Sequence, residues 1–333
     1  MKKLLFAFVG LLLFFASCQP DKEECAYVPE TNSIKIDLDY RALEDSVYAI
    51  QTKQQVVDFF SHHPLLRDVF FNRQGYPSDS VFINELFHRF TNPSFDTLLI
   101  ETKKVFGDGV ALKQEFTQAF INLKYYYPDF QVPRIETVIT GLESDLFVSD
   151  TLIIVGLDYF LGSGAKYRPN MYEYMLRRYT KDFVVPSAML LYGIDSRINL
   201  VTTTDKSVLA DMIAYGKAFH FAKQMLPCVS DSIFIGYSAE EIAGARENQG
   251  QIWKRLVADE VFFNTSQIIK QKYISERPKT IEVGNQCPGR IGMWMGWQIV
   301  DAYRKRNPKA TLPELMKISD AQLIFKGSKY RPE

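Results

Sequence analysis

Apolar residues recur at helical spacing along most of the chain, and strand-like patterns occupy only three short segments. Ile34, Ile36 and Leu38 alternate with polar residues, which predicts one strand. Residues 135–139 and the almost wholly apolar residues 151–159 predict two more. These strands, among a majority of helices, predict an α+β fold that is mainly helical and carries a small sheet.

The predicted helices share apolar residues three and four positions apart. They cover residues 51–71 with a break at Pro64, 80–90, 95–127, 212–226, 238–263 and 293–303. A capping box at Thr311 predicts the start of a last helix. We find no internal repeat and no linker after about residue 33, so residues 33–333 are interpreted as a single domain.

The first residues have the pattern of a secretory signal peptide. Two lysines precede an unbroken apolar run at residues 4–16. A run of this length is shorter than the roughly 20 residues that a transmembrane helix needs, and it fits the apolar region of a signal peptide. We therefore assign residues 1–17 to the signal and expect residues 18–32 to form a flexible tether.

A cysteine directly follows the predicted signal. Residues 15–18 resemble a bacterial lipobox, in which small residues precede a cysteine whose thiol takes the lipid, although Phe15 stands where Leu or Val is usual. This predicts lipidation at Cys18 and a lipid-anchored protein of the cell envelope. The alternative is an ordinary signal peptide followed by a chance cysteine.

Composition narrows the class of protein only slightly. The 333 residues include 39 basic and 39 acidic side chains, so the formal net charge is zero. This balance gives no reason to expect a nucleic-acid partner. Apolar residues make up 47% of the chain, which excludes low-complexity disorder.

Three further cysteines follow Cys18, namely Cys25, Cys228 and Cys287. None stands in a CxxC pair, which argues against a cysteine zinc site. An extracytoplasmic location permits a disulfide, and a Cys228–Cys287 pair is one possibility. Buried single thiols are an equally good interpretation.

One predicted helix has the residue spacing of a metalloprotease motif but lacks most of the residue types that the motif requires. An HExxH site needs two histidines four apart and a glutamate as general base. Here His220 stands at the second histidine position, while Gly216 and Lys217 replace the first histidine and the glutamate. In one class of such enzymes the third zinc ligand is a glutamate about twenty residues further on, where this chain has Glu240 and Glu241.

These five residues are degenerate active-site positions, and each also has a structural interpretation. One histidine and one carboxylate do not make a tight zinc site, and a lysine ammonium would repel the ion. Residues 238–241 read as a capping box, which assigns the two acids to a helix start. We therefore expect no catalytic residue, no metal ligand and no cofactor.

Several long segments resemble the gliding-motility lipoprotein GldB family of Bacteroidetes. They are the lipobox, the strand at 150–159, the helix around 215–217, and the tail at 289–297 that continues through 303–308 to 328–332. The tail is also similar to that of predicted zinc-dependent proteases with HExxH. The resemblance implies an envelope lipoprotein, expected in the outer membrane, that serves gliding and the associated type IX secretion machinery.

Three functions follow as hypotheses. The first is a non-enzymatic, degenerate zincin-like domain that binds envelope motility or secretion proteins, or a peptide added as a strand beside residues 151–159. The second is an active zinc metallopeptidase with an unusual ligand set around His220. The third is a surface protein that binds carbohydrate or another polymer, for which clustered exposed Trp and Tyr side chains would be the sign.

Overall fold

The computed structural model describes Cys25 and residues 29–333. Predictions that concern residues 1–24, the signal peptide and Cys18 among them, lie outside the described residues. Helices make up 55% of the structure, and four short strands form one mixed sheet. The predicted α+β class, mainly helical with a small sheet, is confirmed.

The helices of the described residues run almost continuously along the chain. The first seven are α1 (Glu44–Tyr48), α2 (Lys53–His62), α3 (Asp79–Phe90), α4 (Ser94–Phe106), α5 (Val110–Tyr126), α6 (Glu173–Leu176) and α7 (Val184–Ile194). The others are α8 (Val208–Met225), α9 (Asp231–Ile235), α10 (Ala239–Glu247), α11 (Gln249–Ala258), α12 (Gln267–Tyr273), α13 (Ile291–Arg306), α14 (Leu312–Lys317) and α15 (Ala321–Ser328). A π-helical turn covers Leu66–Phe70.

The sheet comprises β1 (Tyr40–Ala42), β2 (Arg134–Val138), β3 (Leu146–Val148) and β4 (Leu152–Gly156). The spatial order is β1-β2-β4-β3. Strands β1, β2 and β4 are parallel, whereas β3 is antiparallel to β4. Strand β4 lies between two others, so no peptide can add beside it, and the predicted strand addition at residues 151–159 is wrong.

The sheet separates two hydrophobic cores. Alternate side chains of a strand point to opposite faces. Ile153 and Val155 belong to the larger core, which α5, α7, α8 and α13 cover. Leu152 and Ile154 belong to the smaller core, which α1–α4 cover. This two-sided burial explains why β4 is a continuous apolar run rather than an alternating one.

Helix α8 lies at the centre of the larger core. It packs most extensively against α13, and also against α7 and α15. Because neighbours surround it, apolar residues occur around its whole circumference rather than on one face. Among the described residues, no helix is both long enough and apolar enough to cross a membrane.

Most of the predicted elements are present, and the differences have local causes. The alternation at residues 34–38 is not a strand, because the hydrogen-bonded ladder begins only at Tyr40. The predicted helix 95–127 is two helices, divided where Gly107 and Gly109 adopt positive φ. The predicted helix 238–263 divides at Asn248.

Candidate functional site

Gly216 lies where α8 crosses α13. A Cβ atom at this position would lie 2.4 Å from the carbonyl oxygen of Gly296, and one at Gly296 would meet the carbonyl oxygen of Met212 at 1.9 Å. No side chain fits between the two backbones, so both glycines are required by helix packing. The position that a zinc-binding histidine would occupy in HExxH is therefore filled by an adjacent helix.

Lys217 is almost wholly buried, and its hydrogen bonds link α8 to other segments of the chain. Its ammonium nitrogen donates to the carbonyl oxygens of Leu200 at 2.7 Å, Ile318 at 2.8 Å and Met316 at 3.2 Å. An ammonium has three donors, and all three are used. The interaction ties α8 to the end of α14. Burial lowers the pKa of Lys217 to about 8.

His220 pairs with an acid that the sequence analysis did not identify. Its Nδ1 lies 2.7 Å from Oδ1 of Asp301 on α13, and its side chain is 12% exposed. This bond fixes the orientation of the ring and joins the two central helices a second time. Nothing in the sequence indicates the pair, because the residues are 81 positions apart.

The two acids near the start of α10 have different environments. Glu241 completes the predicted capping box with Ser238, which is confirmed. Its carboxylate also bonds Arg177 at 2.6 Å and Lys279 at 3.4 Å. Glu240 is exposed, and the hydroxyl of Ser238 lowers its pKa.

The five predicted positions do not share one set of contacts. Gly216 and His220 contact α13 and Lys217 contacts Leu200 and the end of α14, whereas the partners of Glu241 are Ser238, Arg177 and Lys279. Within the described chain, no group of three or more His, Cys, Asp and Glu residues is arranged so as to hold a metal ion. The contacts around α8 join helices to one another, and the described residues there form no cluster of metal ligands.

Glu240 and Glu241 instead line a cleft of about 590 Å³. One wall is formed by α10 and α11, and the other is formed by the loop from Lys279 to Pro288. A cleft of this volume is within the range of sites that bind small ligands or short peptide segments. None of the described residues that line it is aromatic, so it lacks the exposed Trp and Tyr side chains expected of a sugar-binding platform.

The loop wall is held in place by its own hydrogen bonds. The backbone N–H of Thr280 donates to the carbonyl oxygen of Cys287 at 2.9 Å, and the hydroxyl of Thr280 donates to the carbonyl oxygen of Pro288 at 2.8 Å. Just beyond the loop, the buried hydroxyl of Tyr237 donates to the carbonyl oxygen of Gly289 at 2.6 Å. The Lys279–Glu241 ion pair joins the two walls directly. The cleft is therefore preformed rather than dependent on a mobile loop.

The disulfide differs from the Cys228–Cys287 pair that the sequence permits. Cys228 forms a disulfide with Cys25 and not with Cys287. Cys287 is a free, partly buried thiol on the wall of the cleft, and burial raises its pKa to about 12. A thiol with this pKa is protonated at neutral pH and is a poor nucleophile.

Comparison with known proteins identifies one family. The model of the family described as gliding motility protein GldB matches residues 24–332. No curated protein and no solved structure matches the chain. The family match covers the whole cleft and the α8 positions Gly216, Lys217 and His220.

Proposed function

Because the chain belongs to the gliding motility protein GldB family, we propose that it is a cell-envelope lipoprotein that supports gliding motility and type IX secretion by binding a partner rather than by catalysis. The family match over residues 24–332 carries this proposal. The lipobox at Cys18 supports anchoring by lipid, and we place the anchor in the outer membrane, at its periplasmic face or at the cell surface.

Three contacts support a non-catalytic role for the metalloprotease-like positions. Gly216 packs against Gly296, Lys217 binds three carbonyl oxygens, and His220 pairs with Asp301. Gly216 has no side chain that could bind a metal, and Lys217 would lose its three bonds if its ammonium took part in zinc chemistry. The proposal that the domain is a degenerate zincin-like scaffold is supported by the spacing of these residues and of Glu240 and Glu241 in the sequence.

The cleft is the part of the surface best suited to bind the partner. It is concave, it is preformed, and its walls come from two separate parts of the chain. Preformed walls lower the entropic cost of binding, because few side chains and no loop must become ordered.

Metal content and peptidase activity of the purified protein test the non-catalytic proposal. We expect less than stoichiometric zinc by elemental analysis and no hydrolysis of an unstructured protein substrate. The matched variant is His220→Ala, which should leave both readings unchanged. One zinc per chain that disappears in His220→Ala, together with peptidase activity, would instead establish a metallopeptidase with an unusual ligand set.

A further inference from the structure

The cleft presents carboxamide side chains from both walls. Asn248 and Gln251 project from the helical wall, and Asn285 and Gln286 come from the loop wall. Among the described residues, these four side-chain amides make a single hydrogen bond. It runs from Asn248 to the carbonyl oxygen of Gly244, at 2.8 Å. Most of their donors and acceptors are thus available to a ligand.

A carboxamide combines two N–H donors with a carbonyl acceptor. A peptide group of an extended chain presents one N–H and one C=O, so a carboxamide can pair with both of them. Such pairing does not depend on the ligand's side chains. Amides on two facing walls therefore suit the main chain of an extended polypeptide that lies between them.

Charge at the cleft adds a preference for one kind of side chain. Lys279 and Glu241 neutralise each other across the walls, and Arg177 also binds Glu241. Glu240 has no cationic partner among the described residues and is ionised at neutral pH, since the Ser238 hydroxyl lowers its pKa. Arg177 lies outside the lining, whose charged residues are Glu240, Glu241 and Lys279, so the lining itself carries one net negative charge. The unpaired carboxylate of Glu240 therefore favours a basic ligand group beside it and disfavours an anionic one.

We propose that this cleft binds an extended polypeptide segment. The four carboxamides bind the main chain of the segment, and Glu240 binds one of its Lys or Arg side chains. This rests on the proposed function and specifies the chemistry of the partner. A saccharide fits less well because the lining lacks an aromatic surface on which a sugar ring could stack. A nucleotide or other polyanion would face the unpaired Glu240.

The test measures the binding of fluorescein-labelled heptapeptides to the full mature lipoprotein in detergent by fluorescence polarisation. The probe consists of Gly, Ser and Thr with one central arginine. One comparison peptide carries glutamate instead, and another replaces the two central amides by esters. We expect the arginine peptide to bind about fivefold more tightly than the glutamate peptide and the ester peptide to lose a similar factor. Equal affinities for all three peptides would overturn the proposal.

Variants of the protein assign the effect to the cleft. Glu240→Gln should remove the preference for arginine, whereas Glu247→Gln, the same change on the same helix but outside the lining, should keep it. Gly244→Leu should abolish binding. A Cβ at Gly244 has open space, so this side chain enters the cleft without a clash and the variant should remain folded. Unaltered binding by Gly244→Leu would place the peptide elsewhere and overturn the proposal.

Gliding of cells that carry Gly244→Leu tests the role of the cleft separately from the chemistry of its ligand. If cells that carry Gly244→Leu stop gliding while the three peptides bind equally, the ligand chemistry is wrong and the role of the cleft stands. If the peptides bind as expected while these cells glide normally, the ligand chemistry stands and the proposed function is wrong.

Discussion

At the scale of single residues, the positions of α8 that have the spacing of HExxH make structural contacts. The sequence shows that Gly216 and Lys217 stand where HExxH has a histidine and a glutamate, because the chemistry of HExxH fixes which residue types are needed. It could not identify the contacts that these residues make in the structure. The three carbonyl oxygens around Lys217 come from positions 17, 99 and 101 residues away, and no periodic pattern records such contacts.

Lys217→Met should lower the free energy of unfolding by about 2–4 kcal/mol at neutral pH, since three buried carbonyl oxygens lose their donor. The effect should also depend on pH. The pKa of Lys217 is lowered to about 8 in the folded chain from an ordinary value of 10.5. Between these two values the unfolded chain binds more protons, so rising pH stabilises the wild-type fold.

The stability gap between wild type and Lys217→Met should therefore widen from about pH 8 to 10.5, by up to roughly 3 kcal/mol. Urea unfolding across this range measures it. Lys254→Met, at an exposed position of α11, is the control and should show neither effect. A gap that stays constant or narrows over this range would contradict the assignment.

At the scale of helices and strands, the crossing of α8 and α13 holds the larger core together. Gly216→Leu should lower the free energy of unfolding by about 3 kcal/mol or more, since the new side chain must displace the α13 backbone. Thermal melting followed by circular dichroism measures the loss. Gly244→Ala is the control, because a Cβ there meets nothing within 4 Å and alanine favours the helix, so its melting temperature should not fall. An unchanged melting temperature for Gly216→Leu would refute the packing account.

Secondary structure was largely predictable where the apolar pattern is long and bounded. Helices α3 and α13 and strands β2 and β4 lie at or near their predicted positions, and the capping boxes at Ser238 and Thr311 are both present. Short elements were harder to predict from the sequence. Strand β3 has three residues and no clear alternation of burial, and it is defined by pairing with β4 rather than by local sequence.

The cleft was only partly predictable for a related reason. Glu240 and Glu241 were identified through their distance from His220, yet their surroundings proved to be the loop from Lys279 to Pro288. This loop has neither helical nor strand periodicity. Its position depends on hydrogen bonds between distant segments, such as the one from Tyr237 to Gly289, which a single sequence does not reveal.

At the scale of the whole molecule, the disulfide connects the start of the described chain to its centre. Cys25 is bonded to Cys228, just beyond the end of α8. Cys18 and Cys25 are seven positions apart in the sequence, and a chain of this length spans at most about 25 Å when fully extended. A lipid on Cys18 would therefore hold the end of α8 close to the membrane surface.

Cys18→Ser should release the protein from the membrane fraction or block its processing, because the thiol that takes the lipid is absent. Fractionation of cells followed by immunoblotting measures this. Cys287→Ser removes the free thiol instead and should leave the protein in the membrane fraction. Retention of a fully processed Cys18→Ser protein in that fraction would contradict the lipobox interpretation.

We propose that binding at the cleft, rather than catalysis around α8, supports gliding. The most direct measurement is the gliding speed of single cells in which the chromosomal copy encodes Gly244→Leu, compared with cells that encode Gly244→Ala. Both variants should be folded, anchored and present at wild-type amount, since the position has open space and glycine is unfavourable within a helix. We predict normal gliding for the alanine strain and loss of gliding for the leucine strain. Normal gliding by the leucine strain, with the variant protein present in the membrane fraction, would contradict the account.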